Sequence, residues 1–379
     1  MRRRLLQAVA LSALTPSQAL ATTRAERADF AAVQPGVQLT FPHDHGAHPE
    51  FRIEWWYLTA WARAEIRPGQ AEDIGLQITF FRINTGWQRS HRSRFAAREL
   101  LFAHAALALP GQPRLIKAER AARTGTGQAE AAQGDTRLLL DRWLLERQSS
   151  DSYRAVIDDP RFGLSLMLRA ERPPWLQGQS GWSQKGPRPI QASYYYSRPR
   201  LALEGTLELR DTSALPRGGS LPSRRALRGL AWFDHEWSSA LLDDAAQGWD
   251  WVGLHFDDGS SLMAFRIRAR EGEPIWTDAN WVDEHHRGLL THDQARAVRF
   301  EPVRRWRSPR TGANWPVAMR VELAGRVLDL QPLLDDQELD TQASTGVTYW
   351  EGAVRVFESD RRVGEGYLEL TGYAQALRI

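Results

Sequence analysis

The chain has 379 residues, 42% hydrophobic and 25% charged, with no cysteine and a formal net charge of +3. The missing thiols exclude disulfides, zinc–thiolate sites, iron–sulfur clusters and a cysteine nucleophile. Lys+Arg and Asp+Glu nearly balance, 49 against 46, which gives none of the basic excess that nucleic-acid binding needs.

The first residues read MRRRLLQAVALSALTPSQALA. Three arginines, a short apolar run and Ala19-Leu20-Ala21 have the layout of a secretory signal peptide over residues 1–21, with a periplasmic or secreted protein as the consequence. The apolar run is too short to span a membrane, and Pro16 and Gln18 interrupt it. No later segment resembles a transmembrane helix. Without those three arginines, Lys+Arg equals the 46 Asp+Glu. The remaining length suits two domains of roughly 150–180 residues.

Strand signals follow in chain order. EWWYLTAWARAE and IGLQITFFRI flank a polar turn at Pro68 to Asp73 and predict a β-hairpin. ELLFAHAALAL is compatible with strand or helix. RLLLDRWLLER reads either as a helix or as two short strands around Asp141. YRAVIDD and FGLSLMLRAE form a hairpin-like pair across Pro160, and SYYYSRPRLALEGTLELR supplies two more strand signals. The stretch from Asp211 to Gly229 is rich in Pro, Gly and Ser and has no apolar period, so a linker is expected at 213–224. Beyond it, GWDWVGLHF and SSLMAFRIRA flank Asp258-Gly259, a strong hairpin signal. VAMRVEL with VLDLQPLL, and TYWEGAVRVFES with VGEGYLELTGYA, give further pairs. The Trp-rich hairpin of the first half has a weak echo in the second. Many short strands with turns every 8–12 residues point to barrels or sandwiches.

The chemistry-bearing stretch is LAWFDHEWSS. In an extended strand Asp234 and Glu236 point one way and His235 and Trp237 the other. Two carboxyls on one face raise each other's pKa and supply an acid able to protonate an alkene. His235 offers an alternative acid, with Trp237 facing the cation that forms. The competing reading is structural, with the acids pairing with arginines or loop amides. Trp55, Trp56, Tyr57, Tyr195, Trp249, Trp251 and Trp350 supply aromatic surface for one apolar pocket, or for core and interface packing; barrels of about eight strands hold one small ligand. His43, His45 and His48 have metal-compatible spacing, but they sit in a polar segment between two prolines, and no metal site is assigned. Neither a G-x-S-x-G elbow nor a nucleotide-binding glycine pattern is present, and no cofactor is expected.

HPEFRIEWWYLTAW, LQITFFR, FAHAAL, SGWSQKGP, ASYYYSRPRL, GLAWFDHEWSS, GWDWVGLHFDDGSSLM, LLDDQELD and TYWEGAVRV…GEGYLELTGY occur in this order. Together, from about His48 to Tyr373, they resemble the AttH-like family, which includes the carotenoid 1,2-hydratases. The resemblance implies an all-β protein of two tandem lipocalin-like antiparallel β-barrels, here at 35–212 and 225–379. It also implies an apolar cavity and, in some relatives, neighbouring ABC-transporter components. The Tyr and Asp expected of the carotenoid hydratases in the strand just after the Asp258-Gly259 turn are absent from Ser260 to Ala269.

Two functions of different class follow. One is a carrier or accessory factor for a periplasmic ABC-type transport system, binding a large isoprenoid- or lipid-like molecule. The other is a hydratase-type enzyme that adds water to an isoprenoid double bond, with Asp234, His235 or Glu236 as the acid. Both place the motif on one wall of a pocket in or near the second barrel.

Overall fold

The structure is a computed structural model that describes residues 30–87, 96–149, 151–210 and 223–377. The expected leader and nearly all of the expected linker lie outside the described residues. Among the described residues, twenty-two strands form two antiparallel sheets. The first sheet holds β1 (Ile53–Arg67), β2 (Gln70–Asn84), β3 (Glu99–Ala108), β4 (Ile116–Arg123), β5 (Ala129–Ala131), β6 (Arg137–Leu140), β7 (Trp143–Gln148), β8 (Ser152–Asp158), β9 (Phe162–Arg169), β10 (Trp175–Leu176), β11 (Trp182–Gln184), β12 (Ala192–Leu209) and β13 (Arg224–Ser238). The second holds β14 (Gly248–Phe256), β15 (Ser261–Arg268), β16 (Pro274–Val282), β17 (Arg299–Arg307), β18 (Asn314–Leu323), β19 (Arg326–Pro332), β20 (Glu338–Thr341), β21 (Val347–Glu358) and β22 (Arg361–Leu370).

The first sheet runs β4-β3-β2-β1-β13-β12-β9-β8-β7-β6-β5, and its two ends approach each other, so it is a nearly closed barrel. The second runs β16-β15-β14-β22-β21-β19-β18-β17 and forms a half-barrel. The one described α-helix is the single turn α1 (His292–Arg296), capped by Thr291. No helix among the described residues is long and apolar enough to cross a membrane.

The hairpins fall where the turn chemistry places them. Asp141 takes a positive φ of 54° and splits the ambiguous RLLLDRWLLER into β6 and β7. The two strand signals of SYYYSRPRLALEGTLELR form one long strand, β12, with a register shift between Arg198 and Leu201. The chief departure from the sequence reading is β13. The expected boundary puts it in the second domain, yet it pairs with β1 on one side and β12 on the other, at the centre of the first sheet. Its two pairing partners are long strands, β1 of 15 residues and β12 of 18, and their open edges outweigh the proximity in sequence of β14.

Burial follows the strand period. Even positions of β1, from Trp56 to Ala64, join the interior of the first barrel, while Tyr57 and Trp61 join a separate cluster with Trp251, Phe265, Ala353 and Tyr367 of the second sheet. Both faces of β1 are therefore covered, one by its own barrel and one by the other domain. The sheets approach closely at Gly75, where a Cβ atom would lie 2.5 Å from Ala353 Cβ and 2.8 Å from the Tyr367 hydroxyl.

Candidate functional site

A cavity of about 340 Å³ lies between the two sheets, at the lower end of the ~300–1,000 Å³ typical of small-molecule sites. β1, β2, β12 and β13 make one wall; β14, β15, β21 and β22 make the other. Hydrogen-bond register sets the rows of side chains. Trp55, Glu236 and Tyr195 lie side by side across β1, β13 and β12, and Tyr57, Asp234 and Ser197 form the next row on the same face. On the facing wall, Trp251, Glu369 and Glu351 lie side by side across β14, β22 and β21.

Seven of the residues expected to form the site line this cavity: Asp234, Glu236, Trp55, Tyr57, Tyr195, Trp249 and Trp251. Four do not. His235, Trp237 and Trp56 point from the opposite face of the first sheet into the barrel interior, and Trp350 packs in the core of the second sheet with its Nε1 donating to the Asp335 carbonyl. The motif thus belongs to the wall supplied by the first sheet, in place of the second-barrel position expected for it. Two cavity carboxyls were not read as site residues, Glu351 and Glu369. They lie on different strands and come together because β21 and β22 are neighbours in register; the alternation within TYWEGAV and GEGYLEL is the local signal.

The carboxyls of the cavity are set up differently. Glu236 pairs with the Lys185 ammonium at 3.2 Å and accepts from the Ser193 hydroxyl. Among the described residues Asp234 has no cationic partner. Burial raises its pKa to about 7, although Ser197 Oγ (2.6 Å), Trp232 Nε1 (2.7 Å) and the Tyr195 hydroxyl (2.8 Å) all donate to it and pull the other way. Burial and the adjacent Glu369 hold Glu351 well above the usual carboxylate range. Glu369 is raised by burial and by the charges of Asp234 and Glu236, against a hydrogen bond of 2.9 Å from Trp249 Nε1. Acids kept neutral near pH 7 in an aromatic pocket are groups that can give a proton to a weakly basic partner.

Behind this wall, inside the first barrel, lies a second polar cluster. His48 Nδ1 and His235 Nε2 each lie 2.8 Å from Glu54 Oε1, and Arg82 Nε donates to Glu54 Oε2 at 2.8 Å. The Tyr196 hydroxyl is 3.2 Å from His235 Nδ1, and Asp44 Oδ1 is 3.3 Å from His48 Nε2. The ring of His235 stacks on Trp56, and that of His48 on Trp237. Burial lowers the pKa of His235 to about 4, against the hydrogen bond to Glu54. Burial also opposes the charge on His48, but its bonds to Asp44 and Glu54 prevail and raise it to about 9. Potential ligand atoms of His48, Glu54 and His235 lie within 4.8 Å of one another, as do those of His43, Asp44 and His48. Here they are joined by hydrogen bonds to each other and to Arg82, a complete ionic network that needs no added charge.

These shifts give the fold an alkaline limit. The raised pKa of Asp234, from 3.8 to about 7, contributes stability that is fully present below pH ~4 and lost as pH rises through 7. Glu351 and Glu369 act in the same direction, and His48 loses its contribution as pH approaches 9. The buried neutral imidazoles of His45, His104, His235 and His255 work oppositely, but their contribution is complete above 6.5. The Asp234 contribution, about 4 kcal/mol, is therefore expected to be lost between pH 4 and 7, and His48 gives a further fall between pH 6.5 and 9. Thermal unfolding of the wild type and Asp234→Asn from pH 4 to 9 checks it: the wild type should lose stability relative to the variant between pH 4 and 7. The same slope in both proteins over that window contradicts the assignment.

A family model described as AttH-like matches residues 32–373. A crystal structure of an AttH protein from Nitrosomonas europaea is 42% identical, with a TM-score of 0.79 over 91% of this chain and 100% of the other. Kievitone hydratase from Nectria haematococca superposes with a TM-score of 0.63 over 92% of this chain and 97% of the other. At 13% identity that likeness concerns the fold alone. No curated protein sequence matches the chain.

Proposed function

The chain belongs to the AttH-like family, and on that premise we propose that its inter-sheet cavity adds water to a carbon–carbon double bond of a hydrophobic, isoprenoid-like molecule. The observation that carries this reading is Asp234, a buried carboxyl with no cationic partner among the described residues, set among Trp and Tyr faces. Its proton passes to one alkene carbon and leaves a cation on the other. The carboxylate that forms already has three donors in place, from Ser197, Trp232 and Tyr195, so no reorganisation is needed as charge develops. The indole faces of Trp55, Trp249 and Trp251 flank the space where the cation forms. Water bonds to the cation through oxygen, and the proton it sheds returns to the Asp234 carboxylate. Alkene and water become alcohol, and no proton is consumed.

The setting in this reading is the periplasm, supported by the arginine-led apolar N-terminus. The test is incubation of the purified protein with isoprenoid alkenes in ¹⁸O-labelled water. The expected product is the alcohol carrying one label, detected by mass spectrometry. Saturable quenching of Trp fluorescence by the same alkenes, with no labelled product from any of them, would replace the enzyme with the carrier that serves an ABC-type transport system.

A further inference from the structure

The cavity holds more acid than hydration of a plain hydrocarbon requires. Of its four carboxyls only Glu236 is matched by a cation, Lys185. Among the described residues, no Lys, Arg or His forms an ion pair with Asp234, Glu351 or Glu369. Glu351 and Glu369 are directly opposed across neighbouring strands, a placement in which like charges destabilise a sheet. Two further groups on the cavity wall lack a partner: Glu351 Oε2 and the Tyr57 hydroxyl are buried with no hydrogen bond. A buried acceptor left unmade costs about 1–3 kcal/mol, and more when it is charged. Packing alone gives no reason to keep such a pair between two sheets.

The protein already shows what satisfies such a wall. The Lys185 ammonium lies 4.1 Å from the centre of the Phe265 ring and 4.7 Å from that of Tyr195, while it pairs with Glu236. An ammonium, aromatic faces and a carboxylate therefore coexist at one end of the cavity. At the Glu351–Glu369 end the carboxyls and aromatic faces are present and the ammonium is not. We infer that the ligand of this cavity is a hydrophobic organic cation, an isoprenoid or alkyl amine, whose ammonium binds the Glu351–Glu369 pair beside Tyr57 and whose apolar body extends between the tryptophans. The inference rests on the inter-sheet cavity as the ligand site and extends it by naming the substrate class. Binding is accompanied by ionisation of one carboxyl of the pair, whose proton passes to solvent, while the other stays protonated and donates to it. Asp234 lies on the facing wall and keeps its own proton for the double bond.

Three ligands of one skeleton separate charge from hydrophobicity: geranylamine, geraniol and geranic acid. Each is titrated against the purified wild-type chain by calorimetry and Trp fluorescence. The amine is expected to bind at least about tenfold more tightly than the alcohol, with the acid weakest. Glu351→Gln and Glu369→Gln, checked for folding by thermal melts, should each reduce the amine preference to below about threefold. Trimethylated geranylamine keeps the charge without an N–H donor, so its preference over geraniol should persist even where a Gln variant does not fold. Equal binding of amine and alcohol overturns the inference, as does a preference that survives in both Gln variants or vanishes on trimethylation. A failure of all four ligands to bind removes the cavity as the ligand site altogether. Absence of hydration with the amine preference intact removes only the chemistry proposed above.

Discussion

Asp234→Asn is expected to abolish turnover, by a factor of about 10²–10⁴, in a protein that folds and still binds its ligand. The amide is nearly isosteric and can still accept from Trp232 Nε1 and Ser197, but it carries no proton that an alkene can take. The binding surface is mostly aromatic, so affinity should change little. The variant should also melt at a higher temperature than wild type at pH 9, because the raised pKa of Asp234 works against the fold there. His235→Gln is the informative contrast. Its side chain faces the barrel interior, fully buried against Trp56 and bound to Glu54, so its loss should appear as instability. Steady-state kinetics of both variants, with denaturation curves alongside, separates the two roles. A folded His235→Gln that is inactive beside an active Asp234→Asn would transfer the acid to the other face of the strand.

The largest stability effect is expected at Glu54. Its carboxylate is fully buried and accepts from Arg82, His48 and His235 at once. Burial opposes ionisation, yet the bonds from His235 and His48 hold its pKa well below the ordinary range. Glu54→Ala leaves the Arg82 guanidinium, whose side chain is fully buried, with only the partly exposed Glu99 as counter-ion. Removing one partner of a buried pair costs about 3–5 kcal/mol, much of the stability of an ordinary domain. Urea unfolding should show a lower midpoint with an unchanged slope. A loss below about 1 kcal/mol would show that the network rearranges or fills with water.

The fold was largely legible in the sequence because its signals are local. Turn residues at Asp141 and Gly259 and alternation in the strands mark hairpins without knowledge of the rest of the chain. The placement of β13 was not legible, since its partners lie about 180 residues away in β1 and across the 211–222 segment in β12. The period of two correctly separated Asp234 and Glu236 from His235 and Trp237. It could not say which face meets a cavity, because in β1, β12 and β13 both faces are buried. Trp56 and Trp350 were assigned to the pocket with their neighbours for that reason, and each turned out to face a core. The Glu351–Glu369 row depends on the pairing of β21 with β22, and the Glu54 network on residues from three separate segments; neither leaves a mark at one position of the chain.

That double burial of β13 has a consequence for which sequences can replace this one. Point substitutions at Asp234 or His235 each disturb one side. A single inserted or deleted residue between Gly229 and Asp234 would exchange the two sides for the rest of the strand. It would push both carboxylates into the barrel and turn the imidazole and indole toward the ligand space. Length in this strand should therefore be far less free to drift than composition. Homologous chains are expected to keep the count of residues from Gly229 to Ser238 fixed, with gains and losses confined to the segment before Arg224.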